Sequence, residues 1–234
     1  WQDGLPLASI ALSHYQITVN PSLPALPLFT LAGLIFAGTG AAQRLGAVFV
    51  ALFGGGKTGT VIAATVLCSC FTAFTGGSGV TILALGGLLL PLLQGVGYPE
   101  RKGISLVTSA SALGVLLAPS VPLIMYAIIA RVPINTMFLA GIVPAVVMVV
   151  CLLIFGGYLR HDVVRHPFKE GHAFSMATLR HAAWVAKWEL LAPVVAIGSL
   201  GTGFATPTES AALTAMYAVL TQAWAHRELD VKKL

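Results

Sequence analysis

Uncharged apolar runs alternate along the chain with short clusters of basic residues. A helix rising ~1.5 Å per residue needs roughly 20 apolar residues to cross a ~30 Å hydrocarbon core. Residues 22–43 and 136–159 each form one run of about that length. Residues 58–97 are 40 consecutive positions without Asp, Glu, Lys, Arg or His, interrupted at the centre by Thr75-Gly76-Gly77-Ser78-Gly79. Each arm of about 17 residues is slightly short for a full crossing, so the pattern predicts a helical hairpin. Residues 103–130 predict one crossing, which Ala118-Pro119-Ser120-Val121-Pro122 breaks into parts of 15 and 8 residues. Residues 188–224 predict an apolar pair interrupted by Gly201-Thr202-Gly203 and Thr206-Pro207-Thr208-Glu209. The polar connection 160–187 predicts an amphipathic surface helix. The chain thus divides into an N-terminal segment (1–57), the hairpin (58–97), the broken crossing with the helix after it (103–159), the polar connection (160–187) and the interrupted pair (188–234).

Composition agrees with this pattern. Of 234 residues, 57% are hydrophobic and 9% charged, against roughly 25% charged in a soluble domain, and mean hydropathy is +0.89. These values exclude a soluble globular domain and a disordered chain, and three cysteines do not make a disulfide scaffold. The expected fold class is all-α, a polytopic membrane protein. The chain opens at Trp1 with no basic segment ahead of a short apolar core, so no signal peptide is expected.

Charge orients the spans. If both long interrupted stretches return the chain to the side it left, twelve of the thirteen basic residues share one side, and only Arg131 lies opposite. The basic side is assigned to the cytoplasm, and residues 1–21 and 131–135 to the outside. The net charge of +5 is thereby explained without nucleic acid. Trp184, Trp188 and Trp224 fall at cytoplasmic ends, where amphipathic rings prefer the headgroup layer.

Two broken segments are the candidate chemistry. Non-helical backbone at membrane depth is tolerated only where it lines a cavity or is buried in protein. Paired breaks offer freed carbonyls and helix N-termini to an ion and a solute, so the two breaks are expected to meet. An ordinary extramembrane turn is the plainer reading of residues 75–79. No Asp, Glu, Lys, Arg or His lies in 58–97 or in 103–130. The site can therefore offer only backbone oxygens and hydroxyls, among them Thr75, Ser78, Thr81, Ser109, Ser111 and Ser120. Neutral hard oxygens suit sodium better than zinc or copper, and a proton relay would need a titratable group. An anionic solute can be held by helix N-termini at Ser78, Gly79 and Ser120. Thr206 and Thr208 carry two readings: a capping box with Glu209, or a lining of the path.

Three other signals fail. Gly76-Gly77-Ser78-Gly79 resembles the Gly-x-Ser-Gly of intramembrane rhomboid proteases, but every histidine lies in a polar flank, so Ser78 has no base. Gly56-Lys57-Thr58 echoes a phosphate-binding loop whose first glycine falls at Ala51. Cys68-Ser69-Cys70 places its thiols on different helix faces.

The segments Ala73-Phe74-Thr75-Gly76-Gly77-Ser78, Leu113 through Tyr126 with its Ala118-Pro119-Ser120-Val121-Pro122, Phe138-Leu139-Ala140-Gly141-Ile142-Val143-Pro144, and Trp188-Glu189-Leu190-Leu191-Ala192-Pro193 leading into Thr206-Pro207-Thr208-Glu209 resemble the large membrane subunit of tripartite ATP-independent periplasmic (TRAP) transporters. The resemblance covers about residues 22–234. It implies an elevator-type secondary transporter of the ion-transporter superfamily, in the bacterial inner membrane. Its coupling ion would be sodium, with no other cofactor. Its partners would be a small four-helix membrane subunit and a periplasmic solute-binding protein that delivers an organic anion. By this resemblance the sodium site falls on Thr75, Gly76, Gly77, Ser78, Gly114 and Pro119, and the N-terminal segment contains a scaffold helix. The chain reads as the first of two inverted repeats plus the opening of the second. Two positions depart from the family pattern: the tip usually reads Ser-Gly-Ser-Ser, so Gly77 loses a hydroxyl, and Ala118 replaces one of two adjacent prolines. A passive pore and a hydrolase built on Ser78 are the competing readings.

Overall fold

A computed structural model describes residues 8–53, 57–155, 176–202 and 204–228. Among these residues all regular structure is helical. Helix α1 (Ala8–Thr18) leads into α2 (Ala25–Ala37) and α3 (Ala41–Phe53). The expected crossing 22–43 is corrected here: α2 has 13 residues, and α3 departs from it at 76°. At ~1.5 Å per residue, α2 covers about two-thirds of a bilayer core. It stops where Gly38, Thr39 and Gly40 follow one another, and the Gly40 N–H is taken by the Glu228 carboxylate at 2.8 Å.

The hairpin consists of α4 (Lys57–Thr75) and α5 (Ser78–Gly95). Its break is narrower than the sequence suggests, only Gly76 and Gly77 lying outside the helices. Gly76 has φ +68°, a conformation that side chains rarely adopt. Ser78 and Gly79 therefore form the first turn of α5 rather than an open loop.

The broken crossing consists of α6 (Glu100–Leu113), a 3-10 turn (Gly114–Leu116), extended residues and α7 (Val121–Ala130). Its break begins at Gly114, four residues before the proline-rich stretch, and it contains a cis Ala118–Pro119 bond. The uninterrupted α8 (Ile134–Phe155) follows, with Leu139 and Val143 both 69% exposed, as suits a helix whose solvent is lipid.

The rest of the chain gives α9 (Met176–Val185), α10 (Lys187–Gly201) bent 70° from it, and α11 (Pro207–Leu220) ending in a π turn (Thr221–Ala225). Most of the 160–187 connection lies outside the described residues; its last part is the helix α9, no residue of which is buried. Trp184 and Trp224 are exposed, and the Lys187 ammonium lies 4.3 Å from the Trp184 ring centroid, the mixed character that suits a headgroup layer.

Two contacts fix the direction of α11 against α2. The Thr208 hydroxyl donates to the Pro21 carbonyl at 2.6 Å at one end, and Arg44 bonds Gln222 at 3.1 Å at the other. The two helices therefore run parallel. The end holding Pro21 also brings Arg131 onto Gln16 of α1, while Arg44 lies at the opposite end. This is the separation that the basic residues imply. The most enclosed of the long spans is α4, whose apolar window is 67% buried against 17% for α8.

Candidate ion and solute site

The two breaks meet. A Cβ on Gly76 would come within 2.8 Å of the Val121 side chain, and one on Gly114 within 2.3 Å of the Ser69 carbonyl and 2.5 Å of Thr72 Cβ. Gly114 thus allows the second break to lie against the last turns of α4, where a side chain would collide with backbone. Ser69 adds a tie by donating to the Ala110 carbonyl at 3.1 Å. This differs from the bond one turn back that a helical serine ordinarily makes. A Cβ on Gly33 of α2 would likewise come within 2.4 Å of the Phe74 carbonyl. The last turns of α4 thus lie against two glycine notches, one on α2 and one in the second break.

Three hydroxyls converge inside the tip. Thr72 donates to Thr81 at 2.8 Å, Thr75 and Thr81 lie 3.0 Å apart, and both Thr75 (3.3 Å) and Thr81 (3.4 Å) reach the Gly77 carbonyl. All three threonines are buried. Each hydroxyl oxygen keeps lone-pair capacity beyond the bond it donates, so the cluster is a neutral, oxygen-rich point. Thr81 is among the oxygens that the sequence offers, whereas Thr72 is not, although threonines four residues to either side of the Gly76-Gly77 break are the available signal. Gly77 presents its carbonyl to this cluster, while Ser78 is half-buried and Gly79 exposed.

Helix polarity adds to the arrangement. The N-terminus of α5 at Ser78 and that of α7 at Val121 lie beside the same contact, bringing two positive dipole ends together. The C-terminus of α4 at Thr75 brings a negative end. Pro119 and Ser120 are buried, and the Ser120 hydroxyl donates back to the Val115 carbonyl, closing the second break on itself.

Thr206 and Thr208 do not join this constellation. Thr206 caps α11: it accepts from the Glu209 N–H at 3.4 Å, and its own N–H donates to the Glu209 carboxylate at 2.8 Å. Thr208 is tied to Pro21. Of the two readings that the sequence allowed, the geometry gives both residues to the capping box and the anchoring of α11 on the segment before α2.

At the opposite end lies a cluster that the apolar pattern concealed. Arg44 bonds Glu189 at 2.7 Å and Glu228 at 2.8 Å, and the Glu189 side chain is wholly buried. His226 lies 3.3 Å from Glu189. Hydrogen bonds from Arg44 hold the Glu228 carboxyl below its ordinary value of 4.5.

Comparison with known proteins identifies the family. Residues 4–234 match the family model of the tripartite ATP-independent periplasmic transporter, DctM component. The chain belongs to this family. Its relatives include the ectoine TRAP transporter large permease protein TeaC of Halomonas elongata, 32% identical over 99% of this chain and 54% of that one. The C4-dicarboxylate TRAP large permease DctM of Rhodobacter capsulatus is 29% identical over 97% of this chain and 54% of its own length. The isethionate TRAP permease DctMQ of Oleidesulfovibrio alaskensis is 31% identical over 97% of this chain and 35% of its own. The chain therefore spans about half, or less, of the relatives it matches. It is a TRAP permease component and a multi-pass membrane protein, and these relatives are permeases rather than enzymes.

Proposed function

We propose that this chain forms the hairpin-bearing half of a sodium-coupled importer of a small organic anion. The observation that carries the proposal is the meeting of the two breaks, Gly76 against Val121 and Gly114 against Ser69 and Thr72, around a buried neutral oxygen cluster. Sodium binds among the Gly77 carbonyl, the hydroxyls of Thr75 and Thr81 and the backbone oxygens of Gly76, Ser78, Gly114 and Pro119, of which those of Gly77 and Gly114 also accept from the Thr81 and Leu117 N–H groups. Neutral oxygens at hydrogen-bonding separations match the hard-cation preference, and no carboxylate is required for a single positive charge. The anionic end of the solute binds at the helix N-termini carrying Ser78, Gly79 and Ser120, where dipole and bound sodium act together. The relatives are named for ectoine, C4-dicarboxylate and isethionate, three small organic solutes.

On this reading the whole transporter works in the inner membrane by an elevator motion, with a small four-helix membrane subunit and a periplasmic solute-binding protein as partners. Thr81→Val tests the ion site. Valine keeps the shape of threonine but removes the hydroxyl that links Thr72 and Thr75. The sodium concentration for half-maximal uptake should rise by about tenfold, the size expected for losing one buried polar ligand. An unchanged sodium dependence would remove the threonine cluster from the site.

A further inference from the structure

The end of the molecule opposite Arg44 carries a cavity of about 500 Å³ that the hairpin site does not use. The segment before α2 (Asn20, Ser22), the α7–α8 turn (Arg131), the first turn of α8 (Asn135) and the start of α11 (Pro207) line it. Its lining includes three side chains that carry N–H donors, Asn20, Arg131 and Asn135. The Asn20 side-chain oxygen accepts from the Ser22 N–H and that of Asn135 from the Thr136 N–H, each at 2.9 Å, so the amide NH2 groups are the donors these side chains have left to offer. Arg131 supplies a guanidinium whose partner among the described residues is the neutral Gln16 amide oxygen, with no carboxylate. Glu209, the acidic group of the nearby α11 first turn, is engaged by Thr206 and lines a separate cavity with Phe204 and Met216.

The backbone at Arg131 points the same way. It closes α7 with φ 55° and ψ 38°, the left-handed conformation that glycine or asparagine fills at least cost. Arg131 occupies this position although it is the one basic residue that the sequence assigns to its side. The volume is that of a small-molecule pocket, and a guanidinium with two amide donors matches a carboxylate.

We propose that this vestibule binds the carboxylate of a small organic anion at the outer face, Arg131 making the charged contact and Asn20 and Asn135 the neutral ones. The assignment rests on the reading that this end faces outward, and it is independent of sodium. The test uses the complete transporter in lipid nanodiscs, in sodium-free choline buffer, with succinate as probe and succinamide as its uncharged counterpart. Succinate should raise the unfolding temperature of the wild type, and succinamide should not. Arg131→Lys should retain protection. Arg131→Gly should weaken it at least tenfold in half-saturating concentration while unfolding no earlier without the probe, because glycine suits the left-handed turn. Equal protection of Arg131→Gly, or equal protection by succinamide, would overturn the site. Protection seen only with the solute-binding protein docked would place the succinate on that protein and overturn the site. Loss of sodium coupling would leave the succinate effect untouched, so the two readings fail separately.

Discussion

Single glycines decide whether the two breaks can touch. The missing side chain at Gly114 admits the Ser69 carbonyl, and that at Gly33 admits the Phe74 carbonyl, so a methyl group at either place meets backbone that cannot turn aside. Gly33→Ala and Gly114→Ala should each destabilise the protein by about 1–3 kcal/mol, the ordinary cost of overpacking, and lower sodium-dependent uptake. Gly87 supplies the contrast. It lies inside α5 with open space where a Cβ would go, so Gly87→Ala should stabilise the helix by about 0.5–1 kcal/mol with uptake unchanged. Thermal unfolding of the three variants in one lipid system checks both signs. That the glycines break the helix was legible in the residues 75–79. Their role as notches was not, because Gly33 and Phe74 are 41 positions apart and no local pattern reports a helix crossing.

Among the elements, α3, α10 and α11 are fastened by charge rather than by apolar packing alone. Glu189 sits in a run that reads as lipid-spanning, yet its side chain is buried against Arg44 from 145 positions away, and Gln222 and Glu228 complete the junction. The apolar pattern placed these helices but left the junction unseen, since its partners come from three separate stretches. Removing one partner of a buried pair leaves an uncompensated charge, so Arg44→Gln should cost about 3–5 kcal/mol, whereas Arg44→Gln combined with Glu189→Gln should recover part of that loss. The Glu228 arm gives this end a pH dependence. Its folded-state pKa lies below 4.5 because Arg44 donates to it, so the contribution is complete above that value and fades as pH falls through the lowered one. Acid unfolding of Glu228→Gln should accordingly show a weaker dependence below about pH 4.5 than the wild type. Equal acid profiles would assign no role to this arm.

For the whole molecule, the count of charges along the sequence and the folded arrangement give the same two ends, Gln16, Pro21, Arg131 and Thr208 at one and Arg44, Glu189 and Glu228 at the other. The hairpin, the broken crossing and the long α8 were legible because uncharged length and glycine or proline breaks are strong signals in a bilayer. The corner between α2 and α3 was not, because hydropathy does not report a 76° turn. The central claim is that the neutral convergence of two breaks binds sodium and draws its energy from a sodium gradient. It is tested most directly by uptake into proteoliposomes containing the complete transporter and its binding protein, with sodium and pH gradients imposed separately. A sodium gradient alone should drive uptake, and a pH gradient alone should not. Uptake driven by the pH gradient alone and abolished by Glu209→Gln would contradict the account, moving the coupling from neutral oxygens to a carboxyl group.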